Sequence, residues 1–220
     1  MEEVVYQVRR SDRARRVRVT VDAVRGVEVV LPRRAPEREA AAAIRELRPW
    51  IERRVAELAG ARAAVAARGD TVPYLGETLA LVTDSPDRTR VTRRGDTLLV
   101  PGSSADRMPA LERWYRRAAR AEIAPRLDRA CALAGTTYSR LTIRGQRTRW
   151  ASCSRGGAMS FNWRLLLAPE AVLDYVIWHE VCHLQVMDHS ARFWRLVASR
   201  DPGYREHVRW LRVNGATLVL

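Results

Sequence analysis

The chain has 220 residues, 47% of them hydrophobic, which suffices for one large or two small domains with a real core. Its 39 basic residues are all arginine and outnumber 25 acidic ones, giving a net charge of +14. No apolar run reaches the length of a membrane span, no secretory apolar stretch opens the chain, and three cysteines (Cys131, Cys153, Cys182) fit a reducing compartment, so a soluble, cytoplasmic protein with no membrane partner is expected.

The first third reads as strands followed by a helix. Val4, Tyr6 and Val8 alternate with polar residues, as do Val17, Val19 and Val21, and Val27 to Leu31 form a third apolar stretch after a turn at Arg25-Gly26. Pro36 opens a helical pattern in which Ile44, Leu47, Ile51, Val55 and Leu58 share a face. Pro49 inside it predicts a kink or two shorter helices. Strand texture returns at Thr78 to Thr83, and Val91 to Arg94 meets Thr97 to Val100 across the hairpin turn Gly95-Asp96. Pro101-Gly102-Ser103-Ser104 is the best boundary, dividing a β-rich subdomain with a helix (1–104) from a second domain (105–220).

The second half begins with a helix whose face of Ile123, Leu127, Cys131 and Ala134 stops at Gly135. Strand-like pieces follow around Leu141 to Arg144, Trp150 to Cys153 and Met159 to Leu166. Pro169 then starts a helix to about Leu184, and Ser190 can cap another through Phe193, Trp194 and Val197. The fold class expected is therefore α+β.

The chemistry concentrates in His179-Glu180-Val-Cys-His183. Histidines four apart stand one turn above each other on one face of a helix, so both imidazoles can reach one ion. Glu180 lies about 100° round the helix, displaced from the ligand position yet close enough to act as general base on a zinc-bound water. A catalytic zinc usually takes three protein ligands. If the helix ends near Leu184, a short turn brings His189 back over the metal. Cys182 points away from the shared histidine face and reads as a small core residue, and His207 reads as a surface or half-buried histidine. The donor for an oxyanion is left open among Tyr204, His207, Arg147 and Arg149.

From these residues outward the chain resembles the YgjP-like family of predicted zinc metallopeptidases, related to the SprT-like proteins and more distantly to the gluzincins. The resemblance is carried by Arg149 to Ser154, Asn162 to Leu165, Pro169, Asp174-Tyr175-Val176, His179 to His183, and Asp188-His189-Ser190 with Phe193-Trp194. The early Val/Arg strands, Trp50-Ile51 and Tyr74-Leu75-Gly76 extend it toward the N-terminus. It implies that His189 is the third ligand and that the second half is a small zincin-like domain, a small sheet plus the HExxH helix. It also implies a sheet edge able to hold an extended peptide. Ala151 and Val181 stand where the family commonly has Gly and Leu. The histidine spacing also equals that of the metzincins, but Val186 occupies their turn-glycine position and no Met-turn follows.

The leading expectation is thus a zinc-dependent metallopeptidase with Zn2+ on His179, His183 and His189, Glu180 as catalytic base, and a peptide or protein substrate. One alternative is a metal-dependent nucleotide or phosphate hydrolase using Arg144, Arg147, Arg149, Arg155 and Arg164 as phosphate clamps. Another is a basic nucleic-acid-binding module with a metal site. The arginines are spread along the chain and no aromatic platform interleaves with them. That pattern favours a compositional preference for arginine on solvated faces over a nucleic-acid surface.

Overall fold

The structure, a computed structural model, describes residues 4–22, 26–85, 87–146 and 148–220. The chain forms two compact units, Met1–Ala67 and Arg68–Leu220.

In the first unit, β3 (Gly26–Pro32) is the central strand, parallel to β1 (Tyr6–Ser11) and antiparallel to β2 (Arg18–Asp22). Alternation along β3 sends Val27, Val29 and Leu31 into a core shared with Ala40, Ile44 and Ile51 of α1 (Arg38–Ala66). Of the two outcomes expected at Pro49, a division into two shorter helices does not occur, because α1 runs on through it. Ile44 and Ile51, on either side of the proline, both anchor the helix to the sheet. At the Arg25-Gly26 turn, Gly26 opens β3 at φ +72°, and Arg25 lies outside the described residues.

The second unit is built on α2 (Ser104–Ala134), which ends at Gly135 in the left-handed conformation (φ 64°) expected of a glycine stop. Two sheets flank it. The first has the order β4 (Thr71–Tyr74), β5 (Glu77–Val82), β7 (Thr97–Leu99), β6 (Thr92–Arg94), with the β6–β7 hairpin pairing Arg94 with Thr97. Its Val72, Leu79, Leu98 and neighbouring Val100 join Leu111, Tyr115 and Ile123 of α2 in one core. The division between units consequently falls at Ala67–Arg68, and the Pro101–Ser104 segment lies inside the second unit.

The second sheet has β10 (Ala158–Asn162) in the middle, parallel to β8 (Arg140–Arg144) and antiparallel to β9 (Ala151–Cys153). The strand stops at Asn162, short of the expected Leu166. The Asn162 side chain accepts a hydrogen bond from Arg164 N (3.2 Å) and turns the chain into a 3-10 segment, Trp163–Leu167. Pro169 then leads into α3 (Glu170–His183), which Arg126 of α2 grips through Glu170 and Asp174. Two amphipathic helices, α4 (Ala191–Arg200) and α5 (Tyr204–Asn214), complete the unit. Together these elements make an α+β fold of five helices and three small sheets among the described residues. No described helix is long and apolar enough to cross a membrane.

Candidate metal centre

α3 is buried round most of its circumference, so its polar residues are forced inward with the apolar ones. Glu180 is 5% exposed and His183 7% exposed, among Val176, Ile177, Val181 and Cys182. Cys182 thus takes the core position expected of it. The helix ends at His183, and Val186 N bonds back to Cys182 O (2.9 Å), which reverses the chain. Asp188 accepts from Ser190 N (3.3 Å) in the following turn and sets the entry to α4.

This turn brings His189 back to α3. Its Nε2 lies 3.1 Å from His179 Nε2, which in turn lies 3.2 Å from His183 Nε2. All three ligand atoms lie within 4.8 Å of one another. Phe193 of α4 (0% exposed) is the floor beneath them, with ring centroids 4.9 Å from His179, 4.4 Å from His183 and 4.8 Å from His189. Trp194 forms a side wall, 5.7 Å from His189 and stacked on Tyr204 at 5.5 Å. Trp178, on the far side of α3, lies under the Arg200 guanidinium at 5.4 Å.

The arrangement suits a metal cation on the chemistry of its donors. His183 Nδ1–H donates to Val186 O (3.1 Å), which leaves the Nε2 lone pair directed at the other two rings. His179 Nδ1 faces the Tyr175 hydroxyl at 3.3 Å, so its Nε2 is likewise the inward nitrogen. Nitrogens at tetrahedral positions about 2.0–2.1 Å from a zinc ion would be about 3.3 Å apart, close to the two shorter separations here. Burial drives His179 down to about 3, with His183 and His189 adding to the effect, and burial also lowers His183. Both therefore stay neutral and able to ligate near neutral pH.

Beside them, burial pushes the Glu180 carboxyl up to about 8, and the charge of Arg149 partly opposes this. Glu180 Oε2 has no hydrogen-bond partner among the described residues. Arg149 itself is exposed and Trp150 half-buried against the core.

Of the remaining site candidates, Tyr204 stacks on Trp194 and His207 lies 6.0 Å from the Tyr175 ring, each one side chain removed from the histidines. Tyr204 accepts a bond from Arg205 Nε (3.2 Å), and His207 Nδ1 pairs with Asp201 at 2.8 Å. Arg147 lies outside the described residues. Arg144 and Arg155 are exposed, and Arg164 packs over the Trp163 ring at 4.5 Å. The contact between Tyr175 and His179 was legible as a four-residue spacing on one helix but carried no separate signal. The role of Phe193 depends on a tertiary turn and had no local signal at all.

Among solved structures, the metallopeptidase zymogen of Pyrococcus abyssi abylysin matches with 26% identity, covering 41% of this chain and 92% of that one, at a TM-score of 0.37. No curated protein gives a significant match. The family description "YgjP-like, metallopeptidase domain" matches residues 15–214, nearly the whole chain. The chain belongs to the YgjP-like family of metallopeptidase domains.

Proposed function

We propose that this chain is a zinc-dependent peptidase in which His179, His183 and His189 hold the metal and Glu180 is the general base. The family implies a catalytic metal and suggests a peptide or protein substrate. The observation that carries the reading is the convergence of three imidazole nitrogens from one helix and its following turn, beside a buried Glu180 oxygen without a hydrogen-bond partner among the described residues.

When bound there, zinc would supply a Lewis acid that polarises a peptide carbonyl and acidifies a water. Glu180 takes the proton from the attacking water as its oxygen adds to the carbonyl carbon, then delivers that proton to the leaving amine. Without metal, burial raises this carboxyl to about 8; a zinc ion beside it would favour the ionised form and so leave a carboxylate to accept the proton. The Arg149 charge favours the carboxylate form of Glu180, the form that accepts the first proton and is restored after the second transfer. Phe193 holds the three rings in place by packing and excludes water from beneath them.

The test separates binding from chemistry. Metal analysis by plasma mass spectrometry should find about one zinc per chain in the wild type and in Glu180→Gln, and none in His183→Ala. Glu180→Gln should lose at least about 100-fold in peptide hydrolysis, the scale of a lost general base. Normal cleavage by the zinc-loaded Glu180→Gln protein would remove Glu180 from the mechanism. A wild type that takes up no zinc would remove the metal site.

A further inference from the structure

One titratable side chain at the site has no part in the mechanism above. Tyr175 lies one turn before His179 on α3, 6% exposed, with its hydroxyl 3.3 Å from His179 Nδ1 and its ring edge-on to the imidazole at 5.9 Å. The comparable atom of His183 faces a backbone carbonyl, Val186 O, which can only accept. His183 is therefore held in one tautomer. A phenol can accept or donate, so His179 is held in position while both of its tautomers keep a hydrogen-bonded partner.

Tyr175 is itself backed from the end of the chain. The His207 ring lies 6.0 Å from the Tyr175 ring, and its Nδ1–H donates to Asp201 Oδ2 at 2.8 Å. The α4–α5 junction thus supports the α3 tyrosine through the fourth histidine of the chain, which is not among the converging three.

We infer that Tyr175 is the positioning residue of the metal centre: its hydroxyl accepts the Nδ1–H of His179 and so presents the Nε2 lone pair to the metal, with the Asp201–His207 pair holding the phenol in place. The inference rests on the three-histidine metal site proposed above. Chemically, an outer partner of this kind fixes the ring angle and raises the basicity of the ligating nitrogen.

The experiment is a zinc-affinity measurement by competition with a chromophoric chelator, on the full chain, for wild type and Tyr175→Phe. The phenylalanine keeps the ring and removes only the hydroxyl, and circular dichroism and thermal melting verify that the variant is folded. We expect zinc affinity to fall about 10–100-fold, the usual cost of losing an outer-shell partner. His207→Phe, which keeps an aromatic ring but breaks the Asp201 bond, should weaken binding by less.

Nitrogen-15 NMR of the zinc-loaded wild type gives an independent readout that needs no variant to fold. The Nδ1 atoms of both His179 and His183 should carry protons. In Tyr175→Phe the His179 resonances should shift while those of His183, the internal control, stay. Wild-type zinc binding that survives unchanged in a folded Tyr175→Phe would overturn this inference and leave the metal site standing. An unprotonated His179 Nδ1 in the loaded wild type would overturn it as well. A wild type that binds no zinc would instead overturn the site on which it rests.

Discussion

Glu180 shows what folding can do to a single side chain. An exposed glutamate titrates near 4.5, but burial in α3 carries this one to about 8 against the opposing charge of Arg149. In the metal-free protein the folded state therefore holds one proton more than the unfolded chain between those two values. Stability attributable to this group is intact at low pH and is lost as pH rises, by about 1.4 kcal/mol per pH unit across the window. Glu180→Gln removes the ionisation altogether. Measured by urea unfolding after chelator treatment, the variant should gain on the wild type by about 2 kcal/mol between pH 6.5 and 8.5. A constant difference over that range would mean that the carboxyl titrates normally and is not shielded from water. If Glu180 is the general base proposed above, the burial that makes it costly to ionise sets stability against proton transfer at this residue.

Among the elements, the junction after β10 depends most on one residue. Asn162, 1% exposed, donates from Nδ2 to Gln146 O (2.7 Å) and Arg149 O (3.3 Å), and accepts from Arg164 N (3.2 Å). It closes the loop that leads into β9, holds the backbone of Arg149, and starts the 3-10 turn that delivers the chain to α3. Replacing it with alanine leaves the Gln146 and Arg149 carbonyls without these donors, which we expect to cost about 1–2 kcal/mol in urea unfolding. A loss below about 0.5 kcal/mol would mean that water or a local shift replaces these bonds. Peptide hydrolysis should fall too, because the Arg149 backbone loses its tether. α3 itself is tied at its first turn by Arg126 to Glu170 and Asp174 and at its last by the carbonyl of Val186. Both ends of the ligand helix are thus fixed by other elements.

For the whole molecule, every residue assigned to the centre lies in the unit Arg68–Leu220, which has its own core. Arg68 closes that unit by donating to Thr217 O (2.6 Å) and Val219 O (2.8 Å) near the C-terminus. We expect a protein of residues 68–220 to fold alone and to bind zinc with the wild-type stoichiometry, read by metal analysis and circular dichroism. A fragment that is unfolded, or folded without metal, would make the first unit part of the site. What the sequence determined by itself is local: the strands of the first unit, the hairpin at Gly95-Asp96, the stop at Gly135, and the two histidines of α3 on one face. These follow from periodicities of two and 3.6 residues and from backbone preferences that neighbours in sequence already set. The sequence left the last helix, α5, unassigned. It also placed a kink or break at Pro49 and a domain boundary at Pro101–Ser104. In each of these the outcome turns on which distant apolar surface covers a segment. Only the tertiary structure decided that His189 returns to His179, that Phe193 floors all three rings, and that Glu180 is buried. Each of these depends on how one element packs against another, including across the turn from α3 to α4, and no periodicity within a single element encodes it.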